Sequence, residues 1–281
     1  MKFAVMRLVN LGILLCLLTQ ACANPSSEVE TSPQQTLTLT GASTISPLAT
    51  TMGKHFEAQN PQTRIDVHTG GSTRGVVDTQ RGLADIGMVS RQLTQPEKAD
   101  MQVFLIAVDG ISLIVHSDNP ITEISKTQIQ DIYTDKVNNW QELGGPDAAI
   151  TVVHKAEGHS TLDLFLNYID LDNGVVQADV IIGDNQQGLK TIAGNPNAIG
   201  YVSIGSAEYD AQQGVPIKLL ALDGITPSSE NIANGTFPLL RELNLITKGT
   251  PMSLAQEFID FTLAENNHEL IKQQGFVPAK H

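Results

Sequence analysis

Three short stretches of this 281-residue chain carry the same chemistry in the same kind of place: TGASTISP at 40–47, TGGSTRG at 69–75 and EGHSTLD at 157–163. Each joins glycine to an adjacent Ser-Thr pair, follows a strand-like segment and opens a helix-like one. The first turn of a helix presents unpaired N–H groups and a partial positive charge. Glycine lets the backbone come close to a bound group, and hydroxyls add donors with little volume. Three such turns aimed at one point would hold a small oxyanion almost wholly through neutral hydrogen bonds. Taken singly, each turn reads more simply as an N-cap. Their repetition matters because parallel α/β sheets bind ligands beyond the C-terminal ends of their strands.

Other chemistries fit these residues poorly. None of the three turns ends in the Gly-Lys-Ser/Thr of a nucleotide-binding loop. A hydrolase elbow would read G-x-S-x-G, but Gly158-His159-Ser160-Thr161-Leu162 puts Leu at the last position. Only His268 and His281 follow Ser160 as partners for a nucleophile. A secreted serine hydrolase is therefore the weaker alternative. The two cysteines, Cys16 and Cys22, lie before the folded body, which starts near residue 36. The body thus has no disulfide, thiol nucleophile or cysteine metal site. His154 and His159 are the closest histidines, too few for a zinc site. No cofactor, no metal and no enzymatic activity are expected.

The elements that must position the turns alternate. TLTLTGAST is an alternating strand ending in a glycine turn. SPLATTMGKHFEAQNP follows as a helix, with Ser46 as its expected cap, Pro47 in its first turn and Leu48, Met52 and Phe56 as an apolar stripe. RIDVHTGG, RGVVDTQRG and ADIGMVS continue as strand, helix and strand. This β-α-β-α-β succession implies a parallel sheet with helices on its faces. GISLIVHS is an apolar run suited to pass between two lobes. KTQIQDIYTDKVNNW reads as a helix and a turn around Trp140, and AITVVHK as the strand before the third turn. The helix after it has Leu162, Phe165, Leu166 and Ile169 inward. DVIIG, QGLKTIAGN and AIGYVSI repeat the alternation, and Ser253-x-x-Gln256 resembles a capping box opening SLAQEFIDFTLAEN.

Hydrophobic residues make up 41% of the chain and aromatics 5%, so the core must be aliphatic. The net charge is −13, and no basic run offsets it. Such a surface repels nucleic acid. It does not forbid a small anion, because salt screens distant charges while local dipoles act at contact. Residues 1–22 read as an export signal: Lys2 and Arg7, then LVNLGILLCLL, too short to span a membrane. Two ends are open for it. ACAN offers cleavage after Ala23, while Ala21-Cys22 fits lipidation of Cys22. Residues 23–35 are polar and Pro/Ser-rich, as a flexible tether would be.

From about Leu37 to Pro278 the chain resembles the phosphate-binding proteins of bacterial ABC phosphate importers. The matching pieces are GASTISPL, TGGSTRGV, ADIGMVSR, QIQDIYTDKVNNWQELGG, EGHSTLDLF and NPNAIGYVSIG. The resemblance implies an α/β, two-lobed type II periplasmic-binding-protein fold. Each lobe would be a mainly parallel sheet flanked by helices, with the ligand in the interlobe cleft. One lobe would comprise residues 36–113 and 223–281, the other residues 114–222. It also implies the ligand set Ser43, Thr44, Ser72, Lys155, His159, Ser160 and Thr161, with Ser90 and Arg91 at the end of the Asp-x-Gly strand.

The chain departs from the family pattern in three places. Lys155 stands for the family's arginine and loses its two-pronged fork. His159-Ser160-Thr161 stands for Ser-Gly-Thr. Ser90 occupies the place of an Asp that in some members accepts the proton of phosphate and repels sulfate. A neutral His159 imidazole is a candidate replacement acceptor. Alternatively its ring points away and only its N–H matters. Arg74 and Arg91 are either cleft cations or surface charges, Arg91 being the better cleft candidate. Trp140 reads as packing, Asp85 as a turn acceptor, and Glu157 as a partner for Lys155 or Arg91. The expectation is a monomeric extracytoplasmic protein of the periplasm or the outer face of the cell membrane, with or without a lipid anchor. It would take up phosphate for an ABC permease. Sulfate, arsenate or molybdate are alternative ligands, and an anion-sensing role is an alternative use.

Overall fold

The computed structural model of the chain describes residues 34–280. The expected export signal, Cys22 and most of the expected tether lie outside the described residues. Its first part runs β1 (Gln35–Gly41), α1 (Ser46–Gln59), β2 (Thr63–Thr69), α2 (Ser72–Gln80), β3 (Ile86–Val89), α3 (Gln95–Lys98) and β4 (Met101–His116). The middle runs β5 (Glu123–Ile124), α4 (Lys126–Tyr133), a 3-10 turn at Trp140–Leu143, β6 (Thr151–Lys155), α5 (Ser160–Ile169) and β7 (Val180–Ile182). It continues with α6 (Asn185–Ala193), β8 (Ala198–Ser203), α7 (Ile204–Gln212), β9 (Ile217–Leu219) and β10 (Ala221–Leu222). The last part is α8 (Ser229–Ala233), β11 (Leu240–Lys248), α9 (Ser253–Leu263), α10 (His268–Gln273) and β12 (Val277–Pro278).

Alternating Leu and Thr make β1 a half-buried strand, with Leu37 and Leu39 in the core. It pairs in parallel with β2 and β3, as the β-α-β-α-β alternation requires. The Leu48, Met52 and Phe56 stripe of α1 is buried against Leu37, Leu39 and Phe258. Gly41 ends β1 at φ 135°, where a Cβ would lie 2.2 Å from the Met88 carbonyl oxygen. Only glycine fits there. The Gly41 carbonyl then accepts the N–H groups of Gly70 and Gly71 at 3.0 and 3.1 Å, fastening the second Ser-Thr turn beside the first.

The second parallel set is β6 between β7 and β8. The whole order is β2-β1-β3-β11-β4-β8-β6-β7. Its middle is antiparallel, unlike the two parallel sets that flank it: β11 runs against both β3 and β4. β4 changes partners along its length. Met101–Gly110 pairs with β11, and Ile111–Val115 pairs with β8. The same strand gives Ile106 and Ala107 to one apolar cluster and Ile111, Leu113 and Val115 to another.

The first cluster draws on residues 37–107 and 243–276, the second on residues 111–239. Trp140 is fully buried in the second, its indole N–H donating to the Asn197 carbonyl at 2.9 Å, so it is a packing residue as expected. Asp85 accepts the Thr38 N–H at 2.7 Å, the structural role expected for it.

Two helix starts differ from the sequence expectation. Ser46 is the first residue of α1 rather than its cap, with Ile45 in the cap position and no side-chain cap bond. Pro47 in the first turn supplies the fixed φ that starts the helix without one. The Ser253-x-x-Gln256 box does not form either. Met252 occupies the cap position, and Gln256 reaches forward to Asp260 at 2.7 Å.

Candidate functional site

The three Ser-Thr turns meet. Ser72 opens α2 fully buried, and its Oγ accepts the Ser160 hydroxyl at 2.5 Å and the Ser90 N–H at 3.0 Å. The Ser90 hydroxyl lies 3.4 Å from the same atom. Thr73 N–H donates to the Gly158 carbonyl at 3.4 Å, joining the second turn to the third. Thr44, in the first turn, accepts the Asn185 amide N–H at 3.1 Å. Asn185 opens α6, so a fourth helix start joins the cluster. Among the described residues, no carbonyl accepts the backbone N–H of Ser43, Thr44, Ser72, Ser160 or Thr161. These are the donors that helix starts leave free.

Close approach here depends on Gly71. Its φ is 86°, and a Cβ on it would sit 2.4 Å from the Gly158 carbonyl oxygen and 3.2 Å from His159 Nδ1. Glycine therefore lets the α2 and α5 loops touch.

Two cations reach the cluster. Lys155 ends β6 with 2% of its surface exposed. Its ammonium donates to Asn185 Oδ1 at 3.0 Å. Burial, reinforced by the nearby Arg241 charge and opposed by Asp184, pushes its pKa down to about 7. Among the described residues no carboxylate forms an ion pair with it. Arg241 of β11 donates through Nη1 to Thr161 Oγ1 at 2.7 Å. Its Nε and Nη2 hold Asp109 Oδ2 at 2.9 and 2.7 Å, so that charge is already balanced. Asp109 Oδ1 also accepts the Gly205 N–H at 3.3 Å.

The remaining expected residues fall at different distances from this cluster. Ser43 is half-buried in the first turn, and Thr44, Ser72, Ser90, Ser160 and Thr161 are buried. His159 is the half-buried cap residue of α5, with no side-chain cap bond. Burial first, then the Lys155 charge, hold its imidazole below the ordinary histidine pKa, with Asp184 opposing. Arg91 lines a groove of about 430 Å³ beside Ser90, Ser160, Asp163 and Arg241. Its guanidinium is gripped by Glu97 at 2.7 and 2.8 Å, which holds the Glu97 carboxyl at about 2. Arg74 pairs with Asp78 on the surface. Glu157 pairs with neither Lys155 nor Arg91 and instead accepts from Asn173 at 3.2 Å.

Arg241, Asp109 and Asn185 are the residues that the sequence reading missed. A signal for two of them exists: Asp109 inside the apolar run AVDGISLIV and Arg241, beside Glu242, inside LLRELNLIT. Buried charges need partners, so each predicts the other.

A family model described as a PBP superfamily domain matches residues 26–266. The phosphate-binding protein PstS of Bacillus subtilis is 31% identical over 258 residues, 90% of this chain and 84% of its own. PstS of Borreliella burgdorferi is 25% identical, over 92% of this chain and 93% of its own. Among solved structures, a Clostridium perfringens chain assigned to a phosphate ABC transporter and carrying bound phosphate superposes with a TM-score of 0.81. It is 29% identical, over 88% of this chain and all of its own. The chain belongs to the PBP superfamily and, within it, to the family of the phosphate-binding protein PstS.

Proposed function

We propose that this chain captures inorganic phosphate in the cradle formed by the starts of α1, α2 and α5 and delivers it to an ABC importer on the extracytoplasmic side. The observation that carries this reading is Lys155: a buried ammonium with an amide oxygen as its partner, beside five free N–H groups. A buried cation is costly unless a negative charge comes to it. The names of the relatives and of the phosphate-bound neighbour agree with that chemistry.

Ser43, Thr44, Ser72, Ser160 and Thr161 would donate through backbone N–H groups and hydroxyls, and Lys155 would supply charge. Arg241 would orient Thr161. Ser90 and His159 would be the neutral groups that accept the proton of phosphate. Arg91, neutralised by Glu97, would shape the mouth rather than attract the anion.

The two-lobed arrangement, residues 36–113 with 223–281 against residues 114–222, is part of the same proposal. The separate apolar clusters and the change of partners along β4 support it, although the stretch from Ile232 to Leu239, placed in the first half, packs on the second cluster. Capture is then closure of the two halves on the anion, with no covalent chemistry. Attachment to the membrane through Cys22 completes the proposal.

Titration with inorganic phosphate tests it, comparing the wild type with Thr161→Val. Tight binding that weakens at least tenfold on loss of the Thr161 hydroxyl supports the reading. Equal binding by both proteins removes the cradle as the site.

A further inference from the structure

Behind the cradle, a chain of four hydrogen bonds that all run one way starts at Lys155. Its N–H donates to Tyr201 Oη at 3.2 Å. Tyr201 Oη lies 2.9 Å from His154 Nδ1, and His154 Nε2 lies 2.9 Å from Asn173 Oδ1. Asn173 Nδ2 donates to the Glu157 carboxylate at 3.2 Å. The Asn173 end and a neutral imidazole fix the direction. A backbone N–H only donates and an amide oxygen only accepts. His154 Nε2 must therefore carry a proton for Asn173, and a bare Nδ1 receives the Tyr201 hydroxyl. The chain starts at Lys155 and closes at Glu157, spanning the loop that leads into the third Ser-Thr turn.

The inner two members, His154 and Tyr201, have no room to turn, while Asn173 and Glu157 are exposed. His154 and Tyr201 are 3% and 2% exposed. Phe165 stacks on Tyr201 with ring centres 3.7 Å apart. Tyr133 and Phe165 sit 5.9 and 6.5 Å from the imidazole. The titratable groups that face His154 are Tyr133 from α4, Tyr201 from β8, and Glu157 through Asn173, with Lys155 next in sequence. Burial pushes both tyrosines up, so they stay neutral. Burial also holds His154 below the ordinary histidine value, against the Asn173 hydrogen bond.

We propose that neutral His154 is a positioning residue that holds Lys155 in place for the anion, and that protonation of its Nδ1 in mild acid breaks the relay and weakens binding. A protonated Nδ1 turns a donor toward the Tyr201 hydroxyl, whose own proton then has no acceptor in a dry site. The inference rests on the phosphate reading for its binding readout.

His154→Gln is the test variant. Its amide can accept from Tyr201 and donate to Asn173, and it does not titrate. Nitrogen-15 spectra of the wild type at pH 7.5 should show a bare Nδ1 and a protonated Nε2 on His154. Phosphate affinity of the variant should match wild type within about twofold at pH 7.5. Between pH 7.5 and 5 the wild type should lose roughly tenfold more affinity than the variant. An Nδ1–H tautomer, or parallel pH curves for the two proteins, overturns the inference. If His154→Gln does not fold, Tyr201→Phe answers the same question. It should bind about tenfold more weakly at pH 7.5 and show no extra acid loss, whereas a wild-type acid loss would overturn the relay. Absence of phosphate binding by the wild type would sink the functional reading, while the His154 tautomer would still decide the relay.

Discussion

Lys155→Met separates binding from stability, because the two should move in opposite directions. The ammonium is 2% exposed and its pKa falls from 10.5 to about 7, mainly through burial. At about 1.4 kcal/mol per pH unit, that drop corresponds to a cost of roughly 5 kcal/mol for keeping the group charged in the ligand-free fold. Methionine keeps most of the stem and drops the charge. It also leaves Asn185 Oδ1 without its donor, a loss of about 1–3 kcal/mol. The ligand-free variant should thus be more stable at pH 7 by about 2–4 kcal/mol. Because the folded pKa lies below the unfolded one, the unfolded chain holds more protons between about pH 7 and 10.5. Wild-type stability should therefore rise across that window, and the advantage of the variant should shrink with it. Phosphate affinity should fall about 10²-fold or more, the usual loss when a buried charge partner is removed. Thermal melts of the stripped proteins from pH 7 to 10, with calorimetric titration at pH 7, read both effects. A ligand-free variant less stable than wild type that still binds phosphate normally would refute the reasoning. Lys155 would then be a structural cation satisfied by Asn185.

Arg241→Met leaves the buried Asp109 carboxylate without its counter-charge and should destabilise the ligand-free fold by about 3–5 kcal/mol in denaturant melts, a loss that Asp109→Leu in the same chain should partly restore. Gly71→Ala places a Cβ 2.4 Å from the Gly158 carbonyl oxygen. At φ 86° and ψ 162° only glycine is unstrained, so the change should lower phosphate affinity roughly tenfold or more and destabilise the fold by about 1–3 kcal/mol; unchanged affinity would mean that the two loops do not close on the ligand. If the His159 imidazole accepts the phosphate proton, His159→Ser should reduce the preference for phosphate over sulfate, measured by competition. Its affinity profile between about pH 5.5 and 8 should also flatten relative to wild type. Unaltered selectivity would leave His159 only its N–H.

Local signals in the sequence carried much of this architecture. Ser-Thr turns, the four-residue stripe of α1 and the β-α-β-α-β alternation depend on neighbours, and the corresponding parallel pairings are present. The antiparallel β11 joins residues far apart in sequence, and no local pattern announces which strand it will meet. Arg241 and Asn185 were missed for the same reason. The charge of Arg241 inside an apolar strand signals a buried partner but not Thr161, Asn185 opens an unremarkable helix, and they matter because folding brings them to Thr161 and Lys155. Arg91 shows the converse. Its place after the Asp-x-Gly strand made it the better candidate for a cleft cation, but Glu97, six residues on, takes both prongs of its guanidinium. The caps at Ser46 and Ser253 failed because a capping residue competes with its neighbours for the last non-helical position, a difference of one residue that sequence patterns do not resolve.

Calorimetric titration of the phosphate-stripped protein with phosphate and with sulfate at pH 7.5 tests the central claim most directly. A buried, unpaired lysine beside five free N–H groups predicts micromolar or tighter binding of phosphate. A neutral His159 acceptor, for which sulfate carries no proton, predicts that sulfate binds at least about tenfold more weakly. Tight binding of sulfate, or of neither anion, would contradict the assignment of this cradle to phosphate.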